Sequence, residues 1–170
     1  MSAEAPGAAA SAARTRRLRR QIAAAAIVAL VAAVAYQAIG ASIFLPRFAS
    51  DDAREVVTAY FEAQRWGFEG LSERALDPGV RAERKAPNHV DALINDILFA
   101  GDLEVSEGQR GDTTGAWFDG DYAEVQLFTV TYDSPWKTEI GQPPGGRHWF
   151  VYAGRNPGAP WLLLGQGTGP

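Results

Sequence analysis

Residues 122–132 read Tyr122-Ala123-Glu124-Val125-Gln126-Leu127-Phe128-Thr129-Val130-Thr131-Tyr132, and this stretch decides the class of the fold. β-Branched and aromatic residues dominate it, and apolar positions alternate with polar ones, the period of a strand with a covered face. Ala123, Val125 and Leu127 form one apolar set, and Phe128, Val130 and Tyr132 form a second set, one residue out of phase. A phase change of one residue is what a β-bulge produces. The pattern therefore predicts a bulge between Leu127 and Phe128, and with it a curved antiparallel sheet.

The flanks fit a small α+β domain. On the C-terminal side a Pro- and Gly-rich loop over 134–146 carries Trp136, and strands at 148–152 and 161–164 form a hairpin across Arg155-Asn156-Pro157-Gly158. Both are apolar on both faces, which predicts central or covered strands. On the N-terminal side, short strands are expected at 103–106 and 117–118, with Asp119-Gly120 as a hairpin turn. Before them the period is helical. Asp52 caps a helix over 52–65 with Glu55 reaching back to it, and Val56, Val57, Tyr60, Phe61 and Gln64 make its apolar face. A short second helix is expected over 71–76, a turn at Asp77-Pro78-Gly79, and a charged loop over 81–87. A third helix is expected over 88–100, stopped by Gly101.

Charge divides the chain more sharply than the secondary structure does. Residues 1–21 hold five arginines (Arg14, Arg16, Arg17, Arg19 and Arg20) and one acid, Glu4, a balance of +4; from Arg47 onward 11 basic residues face 19 acids, a balance of −8. Between them, 22–45 carries no charge. At ~1.5 Å per residue these 24 residues reach about 36 Å, enough to cross a ~30 Å hydrocarbon core with tilt. The positive-inside rule makes the five arginines orienting residues, with the basic, disordered tail 1–21 in the cytoplasm and the domain 51–168 outside, in a single-pass cell-membrane topology. A cleaved signal peptide ending at Ala38-Ile39-Gly40 and a buried core helix are the competing readings of the same run.

Composition excludes several classes of function. Cysteine is absent, which removes disulfides, thiol chemistry and thiolate metal sites. An acidic domain is a poor match to nucleic acid. Two histidines, His89 and His148, have no metal-binding spacing, so no metal or other cofactor is expected. Asp91 and Asp96 are five apart and do not share a helix face; Asp96, among apolar neighbours, is the carboxylate that burial in a cavity would turn into a base. His148, opening a strand, is the other candidate base.

Asp52-Ala53-Arg54-Glu55-Val56-Val57-Thr58-Ala59-Tyr60-Phe61 opening the domain, and Pro160-Trp161-Leu162-Leu163-Leu164-Gly165 near its end, resemble the NTF2-like superfamily. The likeness is greatest to small extracytoplasmic members from high-GC Gram-positive bacteria. The resemblance implies three N-terminal helices packed on a curved antiparallel sheet, the cone fold, here preceded by one transmembrane helix. A cone would be lined by Tyr60, Phe61, Asp96, Phe128, Tyr132, His148 and Phe150, with Trp136 exposed as a partner contact. The fold's enzymes use an Asp or His base inside the cone. Its membrane-tethered members are scaffolds of conjugative secretion and accessory proteins of lipid import. The expected function is therefore non-enzymatic: a tethered scaffold or accessory subunit of a cell-envelope complex. Its partners would be the bilayer, through 22–45, and a second protein or a second copy. Alternatives are a small-molecule or lipid-binding module using the cone pocket, and an isomerase- or cyclase-like enzyme.

Overall fold

Alanine is the best helix former, and an alanine-rich run with no interior charge holds a helix over a long distance. In the computed structural model it does so in α1 (Gly7–Phe48), longer than the uncharged run at both ends. The structure describes residues 7–84, 97–111, 118, 120–135 and 144–167, with side chains from Arg17 onward. The chain separates into two units, Met1–Ile39 and Gly40–Pro170. In the first, Ile22, Ile27, Leu30, Val31, Val34 and Ile39 are all exposed, on every side of the helix. By length and composition this helix is able to cross a membrane.

The second unit starts inside α1. Gly40, Phe44 and Phe48 recur every four residues on one face and are buried, with the Phe44 ring 5.6 Å from that of Phe68. α1 continues through Pro46 to Phe48, giving up only the one helical bond that the missing N–H of Pro46 would have made. After Ser50 the chain reverses into α2 (Ala53–Arg65). Asp52 caps it through Arg54 N, but the expected reciprocal bond from Glu55 takes another path: the Ser50 hydroxyl accepts from Asp52 N and donates to Glu55 Oε2 at 2.8 Å. Then come α3 (Glu69–Ser72), a 3₁₀ turn (Glu73–Ala75) and α4 (Pro78–Arg84). The last replaces an expected turn and charged loop. Asp77 Oδ1 accepts from Gly79 N at 2.7 Å and Pro78 takes the first helical position, so Asp-Pro-Gly here starts a helix. Most of the third helix expected over 88–100 lies outside the described residues. At its end the left-handed position is taken by Phe99 (φ 59°), while Gly101 N–H ties to Asp133 O at 2.7 Å.

The sheet is antiparallel and open: β1 (Leu103–Val105) and β2 (Gln109–Arg110) lie along the same edge of β3 (Glu124–Ser134), which pairs β4 (Gly145–Arg155), which pairs β5 (Leu162–Gly167). The predicted bulge is absent from β3, which pairs β4 without interruption from Glu124↔Arg155 to Ser134↔Gly145. It sits on the strand opposite. From Val105↔Val130 to Gln109↔Leu127, four steps along the edge match three along β3, leaving one extra residue within 106–108. Ser106 absorbs the break, its hydroxyl accepting from Thr129 N at 2.9 Å. A second register shift lies between Tyr152 and Ala153 on the β5 side.

The phase change in β3 reflects two covered faces. Phe128, Val130 and Tyr132, with Val151, Ala153 and Leu163, pack against Val56, Val57, Tyr60 and Phe61 of α2 in one core. Val125 and Leu127 point the other way. There Val125 and Leu164 are buried outside that core, and the Phe118 ring lies 5.9 Å from both Tyr122 and Tyr152. Gly154 permits this second layer: a Cβ there would sit 2.6 Å from Leu164 Cδ1 and 3.0 Å from the Tyr122 ring.

Tyr122 ties the layer to the helices by donating to Asp77 Oδ2 at 2.5 Å. Burial first, and then the bond to and charge of Asp77, push the phenol up to about 12. Because the folded value is raised, its stabilisation is complete below the ordinary tyrosine value of ~10 and disappears as pH climbs towards 12. Solvent reaches the pair, which limits the effect to about 1 kcal/mol. Tyr122→Phe should therefore be less stable than the parent at pH 8, with the gap closing between pH 10 and 12 in urea titrations. It should also remove one late-ionising phenol from the ultraviolet titration.

Candidate functional site

The reversal between α1 and α2 brings two cations, Arg47 and Arg54, and their partners to the edge of the sheet. Arg47 pairs with Glu62 and lies 3.6 Å from Glu55. In the first turn of α2, Arg54 reaches across to β1: Nε (3.0 Å) and Nη2 (2.7 Å) both donate to Val105 O, and Nη1 meets Glu107 at 2.7 Å. The guanidinium thus closes a backbone acceptor on the sheet edge, where an open strand would invite pairing with another chain. At the other end of the sheet, Arg155 stacks 4.6 Å from the Trp161 ring and pairs with Glu124.

Between α2 and β1 runs a groove of about 730 Å³, with Arg47, Asp52, Arg54, Glu55 and Thr58 on the helix side and 103–106, Thr129 and Thr131 on the sheet side. The charges on its helix side are tied down: Asp52 caps α2, Glu55 is held by Ser50 and Arg47, and Arg54 is held by Val105 and Glu107. A lining of mixed sign beside a sheet edge suits recognition of a polar, extended segment. Among the described residues no group of three or more His, Asp or Glu is placed to hold a metal ion.

Arg54→Ala tests the edge. Two charge-assisted bonds to a half-buried carbonyl are lost, and unfolding free energy should fall by about 1–2 kcal/mol in urea titration. Glu107→Gln, removing only an exposed partner, should stay within about 0.5 kcal/mol of the parent.

The residues expected to line a cone fall into three groups. Tyr60, Phe61, Phe128 and Tyr132 meet in the core between α2 and the sheet, all buried. The Trp149 indole donates to Tyr132 Oη at 2.8 Å, Tyr60 Oη lies 3.5 Å from Gln166 Oε1, and the Arg84 guanidinium sits 5.6 Å from the Tyr60 ring. His148 and Phe150 alternate with Trp149 and Val151 along β4 and occupy the opposite face, paired with Thr131 and Thr129; His148 is exposed. Asp96 and Trp136 lie outside the described residues, as do His89 and Asp91. Of the orienting arginines, Arg17, Arg19 and Arg20 are exposed, and the side chains of Arg14 and Arg16 lie outside the described part of the chain.

Sequence reasoning did not single out Arg47, Arg54, Arg84 or Gln166. A cation at the end of an apolar run carries no local signal that it will meet acids on the next helix, and one in the first turn of a helix none of what it will meet 50 or more residues away.

These features define an α+β domain with an open antiparallel sheet, joined to an N-terminal helix long and apolar enough to span a membrane. The chain matches no protein-family model, no curated protein and no solved structure.

Proposed function

We propose that this is a single-pass membrane protein whose domain stands outside the cytoplasm as a non-enzymatic scaffold or accessory subunit of a cell-envelope complex. The observation that carries this is the uncharged surface of α1 over 22–39, with its large apolar side chains exposed around the whole circumference. Such a surface is stable in lipid, where the helix also satisfies its own backbone, and unstable in water. The five arginines orient the helix with its N-terminus inside. Tyr60, Phe61 and Phe128 have no exposed surface, which favours a filled interior of an NTF2-like cone over a ligand cavity. The groove beside β1 is then the surface offered to a partner.

Two measurements test this. In intact protoplasts an added protease should digest the domain and spare the arginine-rich tail. A soluble secreted product starting near Ala41 would show a signal peptide and refute the tether. Crosslinking in native membranes should retain a stable neighbour or a second copy, and a protein that runs alone would refute the scaffold.

A further inference from the structure

We infer that Trp66 and Phe99 are interfacial anchors, seating the outer domain on the headgroup layer of the bilayer that α1 crosses. This rests on the tethered reading above. Counting from Arg20, the last tail cation, residues 21–39 span about 28 Å of helix, nearly the ~30 Å hydrocarbon core, so the lipid boundary falls near Gly40. Within the domain, α2 runs back alongside the end of α1: Arg47 meets Glu55 and Glu62, while Phe68, just beyond α2, covers Phe44 and Gly40. The chain leaving α2 has therefore returned to the level of Gly40.

At that level lie the two large exposed aromatics that the domain shows among the described residues. Trp66 is 49% exposed and Phe99 61%. They are neighbours, because Phe99 N–H donates to Arg65 O at 3.0 Å and Gly67 lies against Leu98. Phe99 holds a left-handed backbone (φ 59°), costly for an aromatic residue, and its side chain is turned out of the core. The Arg65 guanidinium lies 5.5 Å from the Trp66 ring. An exposed Trp with a cation beside it suits the headgroup region, where the ring meets acyl chains and the cation meets phosphate.

The cysteine-free chain permits a direct test. Single cysteines at Phe99→Cys, Val31→Cys and Ala159→Cys are labelled with an environment-sensitive fluorophore. The full chain is placed in phosphatidylcholine–phosphatidylglycerol vesicles containing nitroxide lipids. Val31 reports the span, and Ala159 lies in the exposed β4–β5 turn, where Trp161 fastens to Asp51 at the far end of α2. Quenching at Phe99 by headgroup-proximal nitroxide should exceed that at Ala159 roughly threefold or more, as for a residue in the interface. Quenching at Val31 with Phe99 as accessible to aqueous iodide as Ala159 would overturn the anchors and leave the tether standing. No quenching at Val31 would overturn the tether, and the anchors with it. Should Phe99→Cys fail to fold, brominated-lipid quenching of intrinsic fluorescence replaces it: a component lost in Trp66→Phe supports the anchors, and an unchanged profile overturns them.

Discussion

Trp161→Ala should lower the unfolding free energy of the domain by about 3–5 kcal/mol, a large part of a typical domain's stability. The ring is 1% exposed and belongs to the core between α2 and the sheet. Two further contacts set it apart from other core aromatics. Its Nε1 donates to Asp51 O at 2.8 Å, fixing the residue before the α2 cap, and Arg155 stacks on it at 4.6 Å. A single side chain thus fastens the start of α2 to the start of β5. Trp161→Phe separates the contributions, since it keeps much of the ring volume and loses the bond to Asp51. It should cost about 1–2 kcal/mol, the loss of one buried bond plus a small void. Urea unfolding of the full chain in detergent, monitored by far-ultraviolet circular dichroism, reads both. If the Ala and Phe variants lost equal stability, the ring would be less important than its hydrogen bond.

The sequence is legible where its signals are local and silent where they are not. The α2 helix is readable from Asp52 and the apolar face Val56, Val57, Tyr60 and Phe61, and all four of those are buried. The β4–β5 hairpin is readable from Asn156-Pro157-Gly158, where Gly158 takes a positive φ. The phase change at Leu127 and Phe128 is a true signal with a different cause from the one it suggests. Alternation reports that a side is covered, but not by what; a second layer built on Tyr122, Phe118 and Leu164 is invisible from β3 itself. Asp77-Pro78-Gly79 is ambiguous in principle, since the same three residues open a turn or cap a helix depending on the residues after them. Of the expected cone residues, four share the core, and the strand period places His148 and Phe150 on the other face. Choosing cavity residues by type alone ignores that period.

The junction between span and domain is hidden most completely in the sequence, and Gly40→Leu is the substitution that exposes it. At the end of an uncharged run, Gly40 and Phe44 carry no contrast with their neighbours, so a membrane face and a core face look alike. The structure separates them. A Cβ at Gly40 would lie 2.5 and 2.7 Å from Cδ1 and Cζ of Phe68, and closer still to Cε1. Phe68 is itself 5% exposed and packed on Phe44, so its ring has little room to yield. Two effects then oppose each other. Leucine favours the helix by about 0.5–1 kcal/mol over glycine, and also favours membrane insertion by a few tenths. Overpacking beneath a confined ring costs about 1–3 kcal/mol, more for a branched side chain than for one methyl. Packing wins: membrane insertion should be unchanged while the domain unfolds at lower urea, with a net loss of about 1–2 kcal/mol. Gly40→Leu combined with Phe68→Ala should recover part of that loss, because the new side chain fills the space the ring vacates. A stabilised single variant would mean that Phe68 swings aside freely, and that Gly40 serves only the helix and not the core.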